Sequence, residues 1–520
     1  MPGDELVSLD EMTARLERAL ASSPADSTEI LWIEARRSEV AAGRGRRDGA
    51  RAPEAAADGG RAGAASAAAS SPHRERSLLI RVRQSGRTGL HRTGGAGASD
   101  LENAVRDAMA QARLAPATTA EPLPTAAGER AANERPSGER PTGERAAGGD
   151  PALAVQGGPD LDGALFDQEL AELEAGQARG LLDRAAGRRE RLRLAWLEGR
   201  VVVANSAGLR RAARVTAASF EVSCGTGAGA GSAAGAARHL SALGIQDLLD
   251  RARARHGGAE AGAGPATPAG GAGSAGDAPP PLPWDADAAL ATAPTLVLSE
   301  QSTAALLELL NLHGLSATAQ RDAGCCLHGR LGELLFAPCL SLRDDGNDPR
   351  ALPFPFDLAG WRKRRVDLIV EGVFTTPAVD VQLAQEIGRQ PTPHAMAPDE
   401  SIAANLLLLP GAGEPLAEAE LLRQAEDGIW IGALGGLECF DLGRLRFRAL
   451  ALGVRRIAGG VLGPPLPDLV WEDSLLGALA RVQTLGDRPV AIAGRDMLFG
   501  ATAAPLLALR GAERLGVAAR

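Results

Sequence analysis

The stretch RLRLAWLEGRVVVANSAGLRRAARVTAASFEVSC, residues 191–224, reads as several β-strands with a turn at Asn205-Ser206-Ala207-Gly208, residue types that supply turn geometry. Strands joined so closely pair antiparallel. Outward from it, SLLIRVRQSGRTGLHR (77–92) resembles two more strands joined through Ser85-Gly86, and TEILWIEARRSEV (28–40) another. Ser8 and Glu11 form a capping box, and Leu9, Met12, Leu16 and Leu20 follow at helical spacing, predicting a first helix to about Ala21. Ser99 and Glu102 open a second helix; Phe166 to Ala186 and Ser241 to His256 carry helical spacing as well.

Three tracts, about 41–75, 115–160 and 257–283, are dominated by Ala, Gly, Pro, Ser, Arg and Glu and read as disordered insertions. The last separates a denser half beginning near Trp284, with the apolar segments PTLVLS, VDLIVEGVF, NLLLLPG, GIWIGALGGLECF and LRFRALALGV. Helices there are expected chiefly at Glu300–Leu312 and Leu416–Ala425. The fold class is α+β: an N-terminal domain (1–256) of helices packed on antiparallel strands, a linker (257–283), and a strand-rich, barrel-like or layered C-terminal domain (284–520).

Composition narrows the function. The chain has 520 residues and a net charge of -9, which argues against direct binding of nucleic acid. Lys363 is the only lysine. The five cysteines have no framework spacing, which fits free thiols and a cytoplasmic protein. No apolar run reaches the roughly 18 residues of a membrane span. A Walker A loop, a G-x-S-x-G elbow and an H-E-x-x-H helix are all missing from the sequence.

Weaker signals have plainer readings. GTGAGAGSAAG from Gly225 reads as a loop, and Cys325, Cys326, His328 and Cys339 as buried thiols in a sheet beside a histidine, not as a zinc knuckle. Asp344-Asp345-Gly346-Asn347-Asp348 reads as a turn. Arg362, Lys363, Arg364 and Arg365 form a basic run expected to be solvated.

The order of these segments resembles the TldD/PmbA family, described as candidate modulators of DNA gyrase and as metallopeptidases. The matching blocks are LLIRVRQSGRTGLHRT, VVVANSAGL, LSLRDDG, FDLAGWRKRRVDLIVEGVF, NLLLLPG, DGIWIGALGG and SLLGALARVQTLGD. In that family the TldD-type subunit is known for a metal-binding HExxxH helix with a downstream cysteine. The corresponding segment here is ALLELLNLHGL. Glu308 stands at the first His position, Leu309 at the Glu position, and His313 alone persists, while no cysteine follows Gly486. Leucine cannot act as the general base.

The resemblance therefore implies the PmbA/TldE branch: a chain without metal or cofactor of its own, partnered in a heterodimer or higher oligomer by a TldD-type paralogue that holds zinc, with a peptide as substrate. The family's D-x-E-G segment reads Asp357-Leu358-Ala359-Gly360, and its T-G-x-F-S turn reads Leu442-Gly443-Arg444-Leu445-Arg446. Gly428, Ile429, Trp430, Ile431 and Gly432 are the best candidate for an exposed edge to which an extended peptide adds as a strand, with a core strand as the equal alternative. Two other readings stand beside it: a self-sufficient peptidase using His313, His328 and the cysteines, and an interaction protein with no proteolytic role.

Overall fold

The computed structural model describes residues 6–43, 70–95, 97–117, 123, 125, 162–187, 190–225, 230–257, 294–397 and 400–518. Most of the three Ala/Gly/Pro-rich tracts lies outside these residues. Their flanks are ordered further than expected, since β1 (Ser27–Ala42) runs into the first tract and β2 (Ser70–Gln84) begins inside it.

With β3 (Arg87–Thr93), β4 (Glu190–Asn205), β5 (Arg210–Cys224) and β6 (Gly231–Ala237), these strands form one antiparallel sheet in the order β3-β2-β1-β4-β5-β6. The β4–β5 turn falls where the sequence put it. Asn205 Oδ1 accepts from the N–H of Ala207 and of Leu209, both at 3.1 Å, and Gly208 takes φ 89°.

Alternation along the strands gives the sheet two apolar faces. On one, Ile30, Trp32, Ile80, Val202 and Ala204 meet α1 (Leu9–Ser22) and α2 (Ala98–Leu114). On the other, Leu31, Leu197, Val201 and Val203 pack on Phe354, Phe356, Leu498 and Phe499 of the C-terminal half.

Two N-terminal expectations change. Gly231–Ala237, within the Gly/Ala-rich stretch, is an edge strand rather than a loop; a Cβ on Gly231 would lie 2.3 Å from Ala252 O, so the helix Ile245–Gly257 rests directly on it. The single helix expected over Phe166–Ala186 is broken into Gln168–Ala171 and Ala175–Ala185, preceded by Asp162–Leu165. Asp167 causes the first break: its side chain accepts from Glu169 N, and its own N–H donates to Thr216 Oγ1.

The C-terminal half is layered, with no closed barrel among the described residues. One sheet orders 373–374, 366–370, 340–344, 406–410, 501–504 and 490–493; a second orders 461–465, 455–458, 428–431, 295–298, 507–510 and 482–485; a third holds 433–441, 446–452, 469–474 and 514–517. Their shared core includes Leu296, Leu307, Leu310, Leu406, Phe447 and Trp471.

Candidate functional site

The helix Glu300–Leu310 begins at Ser299, whose Oγ accepts from Ser302 N, and it continues as a π turn over Asn311–Leu315. Leucines at 306, 307, 309 and 310 bury it in the core. Leu309, at the general-base position, is one of these packed side chains, with 8 % of its surface exposed.

Glu308 is turned toward neighbouring backbone and hydroxyl groups. Thr502 Oγ1 donates to its Oε1, and the side chain lies against Gly494, where an added Cβ would stand 3.1 Å from Oε1. Burial raises the Glu308 carboxyl above its ordinary range, against the pull of Thr502, Arg495 and Asn311. His313 lies on the π turn, its imidazole held below the usual value by burial and by Arg495. A carboxyl whose charged form burial disfavours and a packed leucine do not fit a catalytic metal, which takes deprotonated ligands and a polarised water. Among the described residues, no group of three or more His, Cys, Asp or Glu side chains is placed to hold a metal ion.

One turn further, Asn311 ties the helix to the adjoining backbone. Its Nδ2 donates to Ala403 O at 2.8 Å and its Oδ1 accepts from Ala403 N at 3.3 Å. The next two N–H groups, of Ala404 and Asn405, donate to Asp344 Oδ1 at 3.0 and 2.7 Å. Asp344 Oδ2 then faces His394 Nε2 at 3.0 Å and Lys363 Nζ at 3.6 Å. All three side chains are buried. Burial alone would raise the Asp344 carboxyl, yet Lys363 and His394 outweigh it and hold the group well below the carboxylate range. His394 is pushed down by burial despite Asp344.

This cluster corrects two sequence readings. The basic run is not uniformly solvated: Lys363 is 4 % exposed. The DDGND segment does form a turn, with Asn347 N donating to Asp345 Oδ1, but its first residue is a buried charge.

Asp357 and Gly360, retained from the altered D-x-E-G segment, serve the fold. Asp357 Oδ1 accepts from Ala359 N and Trp361 N, and Oδ2 from Ala395 N. A Cβ on Gly360, at φ 94°, would lie 2.4 Å from Leu209 Cδ2 in the N-terminal sheet.

The edge expected at Gly428–Gly432 is taken. Gly428–Ile431 pairs with 455–457 antiparallel and with 295–298 parallel, all four residues buried. Gly432 N donates to Leu452 O, and Ser299 Oγ to Gly432 O at 2.6 Å. A peptide cannot add there as a strand without displacing a native one. The thiols are also placed differently: Cys325 and Cys326 lie on turns after the helix Ala317–Arg321, Cys339 immediately before the strand Leu340–Asp344, and His328 Nδ1 is occupied by Gln320 O at 2.7 Å.

Sequence reasoning missed the joint between the halves. Arg238, 4 % exposed, donates to five carbonyls: Thr216 from the N-terminal sheet, and Leu352, Pro353, Met497 and Leu498 from the C-terminal half. Burial without a contacting carboxylate lowers its guanidinium to about 9. A cavity of about 400 Å³ opens beside it, with His239, Asp247 and Arg350 among its polar walls.

The fold is α+β, and the helix at the metal-site counterpart presents a packed leucine and a carboxyl raised by burial, a pairing that does not fit a metal. Residues 292–514 match the PmbA/TldA metallopeptidase C-terminal domain. Over these residues the chain is similar to the TldD/PmbA family.

Solved structures share the fold along almost the whole length. TldE from Thermococcus kodakarensis superposes with TM-score 0.67 at 15 % identity, covering 96 % of this chain and 100 % of its own. A candidate modulator of a DNA gyrase from Thermotoga maritima gives 0.63 at 15 %, covering 97 % and 99 %. Another from Bacteroides thetaiotaomicron gives 0.65 at 16 %, covering 98 % and 99 %. No curated protein matches the sequence.

Proposed function

We propose that this chain is a metal-free, PmbA/TldE-like subunit that completes a peptide-binding chamber for a separate, zinc-bearing TldD-type paralogue, the pair processing unfolded or leader-type peptides in the cytoplasm. The observation that carries the reading is the state of the HExxxH counterpart. Leu309 is packed into the core, so the helix offers no water-activating base at that position, and burial raises the Glu308 carboxyl and so disfavours the anionic form that a metal takes. Every metal-dependent step then falls to the partner, and this chain contributes walls and hydrogen-bonding backbone. Membrane association is not part of the reading; among the described residues no helix is long and apolar enough to cross a bilayer.

The test is metal content and hydrolysis of an unstructured peptide, for this chain alone and co-expressed with a TldD-type paralogue from the same genome. Activity only in the pair, with no metal bound by this chain alone, is expected. Stoichiometric metal and activity in the isolated chain would overturn the proposal and favour the self-sufficient peptidase. Inactivity of a stable, zinc-loaded pair would point to the non-proteolytic reading.

A further inference from the structure

Two groups of helices cover one face of the N-terminal sheet. α1 and α2 pack on Trp32, Val202 and Ala204 toward one end of the strands, and the helices Gln168–Ala171 and Ala175–Ala185 pack on Val40, Leu194 and Trp196 toward the other. Between these apolar zones the strand register sets a belt of charge on the same face: Arg74 and Arg76 on β2, Glu34 and Arg36 on β1, Glu198 and Arg200 on β4, and Arg214 on β5.

The carboxylates form the floor of this belt and the guanidiniums its outer edge. The Glu34 and Glu198 side chains are 0 % and 7 % exposed, whereas Arg36, Arg76 and Arg214 are 35, 27 and 37 % exposed. Arg74 and Arg76 each give Nε and Nη2 to Glu34 Oε1. Arg36, Arg200 and Arg214 converge on Glu198. Five guanidiniums therefore share two carboxylates, and positive charge is left over at the surface of a chain whose net charge is -9. Among the described residues, Nη1 of Arg36, of Arg76 and of Arg214 meets no acceptor. Aromatic rings steady two of these groups: Arg76 Cζ lies 5.8 Å from the Trp32 ring centre and Arg214 Cζ 3.7 Å from that of Phe166.

The belt already holds peptide backbone. Val7 N donates to Glu34 Oε2 at 2.9 Å, and Arg200 Nη1 donates to Leu6 O and Val7 O, both at 2.7 Å.

We propose that this belt is a binding site for an acidic segment of a polypeptide, whose Asp and Glu carboxylates seat on Arg36, Arg76 and Arg214. The inference deepens the peptide reading above and rests on it for the source of the segment. A guanidinium presents a planar fork that a carboxylate matches, and each of the three arginines keeps donors for one. From β2 to β5 is three strand spacings, about 14 Å, the reach of four to five extended residues. A long polyanion would run past this short belt onto a surface that is acidic on balance, which favours a local cluster of carboxylates over nucleic acid.

The test is fluorescence anisotropy with the full chain and labelled, unstructured peptides of about ten residues, a Glu-Gly repeat and a Ser-Gly repeat. At about 50 mM salt the acidic peptide should bind at least about tenfold more tightly than the neutral one, and the difference should vanish near 500 mM. Arg76→Gln with Arg214→Gln should weaken the acidic peptide about tenfold, and each substitution alone about threefold. Glu34 and Glu198 keep Arg74, Arg36 and Arg200 in these variants, and urea denaturation checks that they fold. Arg193→Gln, on the other face of the sheet, should change binding less than twofold.

Equal affinity for the two peptides, or unchanged binding by folded single variants, would overturn the proposal. Displacement of the acidic peptide by single-stranded DNA of equal charge at lower concentration would overturn it in favour of a phosphate site. The measurement needs neither metal nor hydrolysis, so its failure is separate from that of the subunit reading: a pair that hydrolyses neutral peptides while this chain ignores acidic ones would refute the belt alone.

Discussion

His394 Nε2 lies 3.0 Å from Asp344 Oδ2 with both side chains at 0 % exposure, and Lys363 Nζ approaches the same oxygen at 3.6 Å. Asp344 Oδ1 meanwhile receives two backbone N–H groups, so this one carboxylate holds the chain at 404–405 against the strand Leu340–Asp344. Removing its charge strands the Lys363 ammonium in the interior; among the described residues Nζ has no hydrogen-bond partner to fall back on. Asp344→Asn should therefore cost about 3–5 kcal/mol in urea denaturation. Adding Lys363→Met should recover part of that loss. A wild-type midpoint for Asp344→Asn would contradict the pairing.

The same cluster sets an acid profile. His394 is held below its ordinary value, so the unfolded chain takes up that proton first and stability falls as pH drops below about 6.5. Asp344 is held below the carboxylate range, so its contribution is complete above about 4 and lost beneath it. Asp357 opposes the first effect: burial lifts it to about 6, the folded chain binds its proton more tightly, and stability from this group declines as pH rises from about 4 to 6. Denaturation midpoints at successive pH values should show a shallow slope between 6.5 and 4 and a steep fall below 4. In His394→Gln the loss on acidifying from 6.5 should shrink, leaving the part due to His313, which is also held below its ordinary value.

Much of the antiparallel sheet and the helix at Glu300 was legible because both depend on local pattern. The turn residues at 205–208 and the leucines at 306, 307, 309 and 310 act within a few positions of one another. The charged cluster was not legible: Asp344 and His394 are 50 residues apart, and Lys363 was hidden inside a run that composition assigns to solvent. Gly428–Ile431 shows the complementary failure. Its apolar run marks a strand, but whether a strand is an edge depends on partners as distant as Thr295–Leu298.

Arg238 is the clearest single test of how the two halves are joined. Arg238→Ala would leave five buried carbonyls without their donor. At about 1–3 kcal/mol for each unmet buried group, offset by relaxation and water entry, a net loss of about 4 kcal/mol is expected. Arg238→Lys should rescue little, since an ammonium cannot span carbonyls arranged around a planar guanidinium. Chemical denaturation of the three proteins checks this, and full rescue by lysine would show that charge, not the fork of donors, holds the joint.

Glu308 offers a test of the metal-helix counterpart that does not depend on activity. If its carboxyl is protonated in the folded chain, glutamine reproduces its shape and neutrality, and Oε1 can still accept from Thr502. Glu308→Gln should then match wild type within about 0.5 kcal/mol near pH 4, where both are neutral. As pH rises, the wild-type chain loses stability because its raised pKa favours the protonated form, so Glu308→Gln should become relatively more stable toward neutrality. Glu308→Ala should instead be destabilised by about 1–2 kcal/mol across the range, through the lost hydrogen bond and contacts. A glutamine variant that weakens steadily as pH rises would mean that the carboxylate, not the acid, is the native form, and the case against a metal ligand at this position would fail with it.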